Sequence, residues 1–189
     1  AQGVLRGHLD DLSSLSMDTS GDLLLSGSLD GTLILWDMKT QELISTREEA
    51  HKGEISSLVF QPSGILAVSA GQDGKVKLWS LPELEPIHTF SKHRKRVTHT
   101  EFTVRGDKLL TSSMDGKIGI WDWEKKKQLN EVAVKQPISG FDLAPEGLEG
   151  VVATKRGAIQ IWDFEKGIPL RDVQANAGEV EHVHFDSSG

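Results

Sequence analysis

Residues 7–37 read GHLDDLSSLSMDTSGDLLLSGSLDGTLILWD. A Gly-His pair opens this stretch, an Asp-Gly pair lies at positions 30 and 31, and Trp-Asp closes it. The His, the Asp-Gly pair and the Trp return twice, with a His-to-Asp interval of 22 and an Asp-to-Trp interval of 6 in all three copies. A fourth, partial copy follows, so that the four tryptophans recur at intervals of 43, 42 and 41: Trp36, Trp79, Trp121 and Trp162. A period of this length predicts a repeat architecture.

Each copy predicts four short strands. In the first copy these are Leu12–Met17, Leu23–Ser28, Thr32–Met38 and Glu42–Thr46. Asp30-Gly31 is a two-residue signal for a β-hairpin turn, and apolar residues alternate around it. No stretch has the period of an amphipathic helix of about 10 residues or more. The chain is therefore predicted to be all-β.

The spacing from Gly-His to Trp-Asp resembles the WD40 repeat, and the resemblance covers nearly the whole chain. It implies a β-propeller built of four-stranded antiparallel blades. The predicted repeats are about 8–50, 51–92, 93–134 and 135–176. Residues 1–7 are predicted to be the last strand of a preceding blade, and 177–189 the first strand of a further blade.

Four repeats with a partial strand at each end leave three arrangements open. The chain is a piece of a larger propeller of the seven- or eight-bladed kind, or it associates with a copy of itself to complete the ring, or it closes alone as four blades.

The resemblance also implies a buried hydrogen-bond chain in each regular repeat. A Trp indole N–H meets a Ser or Thr hydroxyl, the hydroxyl meets a His ring, and the ring meets the turn Asp, because buried polar groups need partners. The matching structural tetrads are His8, Ser26, Asp30 and Trp36; His51, Ser69, Asp73 and Trp79; and His93, Thr111, Asp115 and Trp121.

Repeat four departs from this pattern. By spacing, Val134 replaces the His, Val152 the Ser or Thr, and Arg156 the Asp, while Trp162 remains. Two valines can replace a polar pair at little cost, since both partners are lost together. Arg156 is then expected to point to solvent, and this blade to be the least regular.

Function is predicted from the family resemblance: a non-enzymatic protein–protein interaction scaffold that presents a top-face surface within a multiprotein complex. Three positions per blade commonly supply contacts there, namely the third and fifth residues after the His and the residue before the turn Asp. In this chain the partner-binding positions are Asp11, Ser13, Leu29, Glu54, Ser56, Gln72, Arg96, Thr98 and Met114. The identity of the protein partners is left open.

Catalytic, cofactor and metal sites are not predicted. A Ser, His and Asp trio invites comparison with a hydrolase, but it recurs in three repeats without an oxyanion hole or a nucleophile elbow. The chain has no cysteine and no phosphate-binding, EF-hand or HExxH motif. His182 and His184 share one face of a strand, yet no third ligand is evident, so they are interpreted as surface histidines.

Charge and hydropathy bear on whether the chain binds nucleic acid or a membrane. The net charge of −7 argues against binding nucleic acid over the whole surface, although two dense basic runs exist, Arg94–Arg96 and Lys125–Lys127. No apolar run approaches the ~20 residues of a membrane span, so no membrane partner is predicted. The expected location is intracellular, cytoplasmic or nuclear.

A narrower resemblance supports an alternative function. Leu25-Ser26-Gly27, Asp30-Gly31, Ala50-His51-Lys52-Gly53 and Pro62-Ser63-Gly64 are similar to the p21-activated-kinase-interacting propellers of ribosome assembly. That resemblance implies a ribonucleoprotein-associated propeller in ribosome assembly or RNA processing. Repeat three has a full tetrad, where a degenerate blade is expected in that subfamily.

Overall fold

The computed structural model describes residues 4–145, 148–173, 178, 180 and 182–185. In these ranges sixteen strands form four sheets of four, and each sheet is an antiparallel meander in which consecutive strands pair. No helix occurs among the residues described. The predicted all-β class, with one four-stranded sheet per repeat, is confirmed.

The strand bounds follow the repeats closely. Sheet one contains β1 (Leu12–Met17), β2 (Leu23–Ser28), β3 (Leu33–Asp37) and β4 (Glu42–Arg47). Sheet two contains β5 (Ile55–Phe60), β6 (Leu66–Gly71), β7 (Val76–Ser80) and β8 (Glu85–Phe90). Sheet three contains β9 (Val97–Phe102), β10 (Leu109–Ser113), β11 (Lys117–Asp122) and β12 (Lys127–Ala133). Sheet four contains β13 (Ile138–Leu143), β14 (Glu149–Thr154), β15 (Ile159–Asp163) and β16 (Ile168–Val173).

The chain divides into two compact halves. The N-terminal half, residues 1–91, holds sheets one and two, and the C-terminal half, residues 92–189, holds sheets three and four.

The Asp-Gly pairs close the hairpin between the second and third strands of a sheet. Gly31 has a φ of 84°, a left-handed conformation that costs glycine little. The carboxylate of Asp30 accepts a hydrogen bond from the backbone N–H of Thr32, two residues ahead, at 2.8 Å. Asp73 and Asp115 do the same for the residues two ahead of them, at 3.1 Å each. The Asp therefore holds its own turn by a local side-chain bond.

Apolar residues of successive sheets form the core of each half. In the N-terminal half, Leu25, Leu33 and Leu35 of sheet one belong to one buried cluster with residues of sheet two: Ile55, Leu58 and Phe60. In the C-terminal half, the matching cluster joins Leu110, Ile118 and Ile120 of sheet three to residues of sheet four: Ile138, Phe141 and Leu143. The repeat therefore supplies two apolar faces per sheet.

The first strand of sheet one leaves its apolar face open. Leu12, Leu15 and Met17 are 56%, 57% and 52% exposed. Their counterparts one repeat later, Ile55, Leu58 and Phe60, are 0%, 7% and 6% exposed because sheet one covers them.

The two ends of the chain, 1–7 and 177–189, are predicted to be partial strands. Their described residues, 4–7, 178, 180 and 182–185, are not in strands. At the C-terminal end, residue 185 instead donates its backbone N–H to a side chain of β13, that of Asp142, at 2.6 Å. The assignment of these ends to neighbouring blades stays a prediction, as do the four repeat boundaries.

Candidate functional site

The polar residues of repeats two and three lie in continuous hydrogen-bond chains. Trp79 Nε1–H donates to Ser69 Oγ at 2.9 Å, and that hydroxyl lies 2.7 Å from His51 Nε2. The other ring nitrogen of His51 is 2.9 Å from the carboxylate of Asp73. Repeat three repeats this arrangement, with distances of 2.9, 2.8 and 3.3 Å along Trp121, Thr111, His93 and Asp115.

Burial and hydrogen bonding fix the charge of the turn aspartates. Burial by itself would raise the pKa of Asp73, but hydrogen bonds from the His51 ring and from backbone N–H groups lower it to about 2. The same balance lowers the pKa of Asp115 to about 2. Because these values lie below that of an unfolded Asp, the carboxylates stabilise the fold at neutral pH. That contribution is lost as the pH falls below about 4 toward 2.

Repeat one joins three of its four residues. His8 Nε2 is 2.6 Å from Ser26 Oγ, which also accepts from Trp36 Nε1 at 2.7 Å. The expected bond from His8 to Asp30 is not made, and His8 Nδ1 is buried without a partner among the described residues. Asp30 instead sits on the exposed turn, where its carboxylate accepts the bond from Thr32.

Repeat four solves the same problem with a different residue. Trp162 Nε1–H donates to the side-chain oxygen of Gln160, two residues away, at 3.1 Å. Val134 and Val152 are buried and Arg156 is exposed. Gln160 is not evident from the sequence, because the repeat places the expected partner at the Ser or Thr position, which is Val152 here.

The hydroxyl of the repeat-two tetrad is closed to solvent. Ser69 is 0% exposed, and its hydroxyl bonds both the indole and the imidazole. The arrangement therefore satisfies buried polar groups and offers no nucleophile to solvent.

The predicted partner-binding positions meet in pairs at one end of each sheet. The N–H of Leu29 donates to the C=O of Asp11 at 3.0 Å, so the residue before the turn Asp lies beside the third residue after the His. Gln72 and Glu54 are joined in the same way at 2.9 Å, as are Met114 and Arg96 at 3.0 Å. We call this end of each half its top face.

The fifth residue after the His has a different place. In every sheet the register shifts within the first strand, and the bulged residue is at this position: Ser13, Ser56, Thr98 and Ser139. These hydroxyls bond within the chain; Ser13 Oγ, for example, donates to the C=O of Ile55 at 2.8 Å. The paired positions therefore lie at the end of each sheet, whereas the hydroxyls of the bulged positions bond within the chain.

Repeat four has a matching pair that is absent from the predicted partner-binding positions. Lys155 donates its backbone N–H to the C=O of Pro137 at 3.0 Å. The spacing of the repeat gives these two positions. They were not predicted because repeat four lacks the His and the Asp from which the positions are counted.

Two ionisable groups inside the C-terminal half were also missed. Burial raises the pKa of Glu101 to about 8, and Asp142 adds to this, while the carboxylate accepts the N–H of Leu143 at 3.0 Å. Burial lowers the pKa of His99 to about 4, and the positive charges of His182, His184 and Arg96 act in the same direction. His99 and Glu101 lie two residues apart on β9, so they share one face of the strand, and the polar run Thr98–Glu101 does not mark that face as buried.

Glu101→Gln should change how stability depends on pH. The folded-state pKa of Glu101 lies above the unfolded value, so its contribution is present at low pH and is lost as the pH rises toward 8. Glutamine keeps an oxygen for the Leu143 N–H and carries no charge. At pH 9 we expect the variant to unfold with a free energy about 2–4 kcal/mol above that of the parent, and at pH 5 to match it within about 1 kcal/mol. Urea unfolding followed by tryptophan fluorescence at both pH values measures this.

Glu124→Gln is the control, because Glu124 lies exposed in the turn after β11. The explanation by burial is contradicted if both variants show the pH slope of the parent chain.

The described part of the chain has no cluster of three His, Asp or Glu residues arranged to hold a metal ion. His182 and His184 are exposed, and the latter lies 3.7 Å from Asp142. No helix long and apolar enough to cross a membrane is found among the described residues.

Comparisons with known proteins agree with this geometry. The crystal structure of RRP9 WD40 repeats superimposes on 89% of the chain with a TM-score of 0.83, at 20% sequence identity, and the match covers 52% of that chain. The family profile of the anaphase-promoting complex subunit 4 WD40 domain matches residues 15–105. The chain belongs to the WD40-repeat family. The four sheets are WD40 blades, and members of this family generally act as scaffolds that bind protein partners.

Curated WD40 relatives are much longer than this chain. Telomerase protein component 1 of Mus musculus is 30% identical over 178 residues, which is 93% of this chain but 5% of that protein. Apoptotic protease-activating factor 1 of Danio rerio is 28% identical over 101 residues, 52% of this chain and 8% of that protein. WD repeat-containing protein 18 of Bos taurus is 46% identical over 43 residues, 23% of this chain and 10% of that protein. The chain thus spans about a twentieth of the length of the telomerase protein component that it matches.

Proposed function

We propose that this chain is a non-enzymatic interaction scaffold whose WD40 blades present their top faces to protein partners within a multiprotein complex. The observation that supports this proposal most strongly is a backbone hydrogen bond that holds Asp11 beside Leu29 at the top face. The same bond recurs between the paired residues of blades two and three. A rigid pair of this kind presents two side chains at little entropic cost on binding.

The character of the paired residues suits partner recognition. Leu29 is 42% exposed beside the carboxylate of Asp11, so blade one offers an apolar contact with a charge next to it. Met114 lies half-buried beside the exposed Arg96 in blade three. Apolar anchors rimmed by charge are typical of protein interfaces.

The names of the relatives support membership in an assembly. One is a component of telomerase and another is a subunit of the anaphase-promoting complex. The identity of the partner, an intracellular location in the cytoplasm or nucleus, and completion of the propeller by further blades or by a second copy stay predictions. The open apolar face of β1 supports a covering blade of one of these origins.

Charge reversal at the top face tests the scaffold. The double variant Glu54→Lys with Arg96→Glu changes one paired position in each half and keeps the net charge. We expect it to lose at least one protein that the parent chain captures by cross-linking from a cell extract, while circular dichroism stays the same.

The matched control reverses charges at the other end of the blades, with Glu83→Lys and Lys126→Glu, both exposed in turns after a third strand. If both double variants capture the same proteins as the parent chain, the top face is not the binding surface.

A further inference from the structure

Charge is divided unequally between the two halves of the chain. Residues 1–91 contain 6 Lys and Arg against 13 Asp and Glu, which gives the whole net charge of −7. Residues 92–189 contain 15 of each, which gives zero. A half with no net charge can still have a strongly charged surface if residues of one sign are concentrated there.

The top face of the C-terminal half is where its positive charge collects. Four segments form this face, the loops 92–96 and 133–137 and the hairpin turns 113–117 and 154–158. They contain one acid, Asp115, and eight basic residues: Lys92, Arg94, Lys95, Arg96, Lys117, Lys135, Lys155 and Arg156. The equivalent segments of the N-terminal half, 7–11, 28–32, 50–54 and 71–75, contain two basic and five acidic residues. The basic character is thus particular to this half and does not follow from the repeat.

Hydrogen bonds hold these segments next to one another. The N–H of Arg94 donates to the Asp115 carboxylate at 2.9 Å, which ties the first loop to the first turn. Val134 N–H donates to the C=O of Gly116 at 2.9 Å, and Lys155 N–H donates to the C=O of Pro137 at 3.0 Å. The cations therefore lie on one bonded series of loop, turn, loop and turn.

The single acid of this face is already engaged. The Asp115 carboxylate accepts bonds from the His93 ring and from backbone N–H groups, including that of Lys117 at 3.1 Å. Arg94, Lys95, Lys135 and Arg156 are exposed. A partner that brings carboxylates to this face relieves the repulsion among these cations.

The surroundings favour a protein segment over a nucleic acid. None of the four segments contains a Phe, Trp or Tyr, so bases would find no aromatic surface on which to stack. Met114 and Pro137 lie among the cations and offer apolar contacts to a side chain.

We propose that the top face of the C-terminal half binds an Asp- and Glu-rich segment of a protein partner, with Lys95 of blade three and Arg156 of the adjacent blade four binding its carboxylates. This proposal rests on the proposed scaffold function and names the chemistry of one of its partners.

A pair of charge-matched variants tests the proposal. Lys95→Glu with Arg156→Glu places acids on the basic face. Lys126→Glu with Lys127→Glu makes the same change in net charge in the turn after β11, at Lys126, and at the first residue of β12. That turn lies at the opposite end of the strand from residues 114–116, since β11 separates the two. The full chain is titrated into a fluorescein-labelled peptide of alternating Glu and Ser, and into a single-stranded oligouridine of equal charge. Fluorescence anisotropy at several salt concentrations gives the affinities, and circular dichroism checks that each variant is folded.

We expect the Glu-Ser peptide to bind with an affinity that falls as salt rises. The K95E/R156E variant should lose at least about tenfold in affinity, and K126E/K127E should stay within about twofold of the parent chain. Equal losses in the two variants, no peptide binding by the parent chain, or tighter binding of oligouridine would each overturn the proposal.

The peptide titration and the capture experiment distinguish failure of the acidic-segment proposal from failure of the proposed scaffold function. If partner capture depends on Glu54 and Arg96 while peptide affinity does not depend on Lys95 and Arg156, the scaffold stands and only the acidic segment is wrong. If the peptide binds as expected but no captured protein depends on either top face, the proposed function fails.

Discussion

Gly31→Ala is expected to lower the free energy of unfolding by about 3–5 kcal/mol. Gly31 lies in the hairpin turn of blade one with a φ of 84°, where a side chain is strained. An added Cβ would also stand 2.2 Å from the carbonyl oxygen of His51 and 3.0 Å from that of Gly53. Both are backbone atoms of the loop that leads into blade two, so relief requires the two blades to move apart.

Gly64→Ala is the control that separates backbone strain from the steric clash expected at Gly31. Gly64 has a φ of 77°, and its added Cβ would meet no atom within 4 Å. Alanine there should cost only about 1–2 kcal/mol, the price of the left-handed conformation. Urea unfolding followed by tryptophan fluorescence gives both values. Equal losses would show that the close approach of turn and loop does not contribute to stability.

Ser69→Ala should cost about 2–5 kcal/mol, because it removes a single oxygen on which two buried groups depend. The Trp79 indole N–H loses its acceptor at 2.9 Å, and His51 Nε2 loses its partner at 2.7 Å. Ser69 and Trp79 are 0% and 2% exposed, so water cannot readily replace the hydroxyl. Thermal unfolding by circular dichroism and urea unfolding by fluorescence both report the loss.

Ser80→Ala is the matched control in the same blade. Ser80 Oγ makes one long bond, 3.5 Å to the C=O of Glu85, at a partly exposed site. We expect this variant to stay within about 0.5 kcal/mol of the parent. A Ser69→Ala variant as stable as Ser80→Ala would mean that the indole and imidazole find other partners.

The strands were predictable because their signals are local. β1 and β2 have the bounds expected from alternation, and β3 is one residue shorter at each end. The Asp-Gly pair forms its hairpin turn through local contacts, so the turn can be located from the sequence alone.

The parts that sequence reasoning missed depend on packing. Whether His8 reaches Asp30 depends on the path of the loop between Gly7 and Leu12. The residue types in that loop do not predict its path. Trp162 Nε1–H donates to the side-chain oxygen of Gln160 in place of a hydroxyl, because any oxygen within reach satisfies an indole N–H. Glu101 carries no buried-residue signal, since only the three-dimensional neighbourhood of Leu143 and Asp142 shows that its carboxyl is enclosed.

The meander of each sheet bears on synthesis at the ribosome. Each of the described strands pairs only with the strand before or after it in the chain, so every strand pairing joins consecutive segments. Closing such short loops costs little entropy, and each sheet is able to form once its own residues have left the exit tunnel. Folding is then expected to advance blade by blade with elongation, each finished blade serving as the template against which the next one docks.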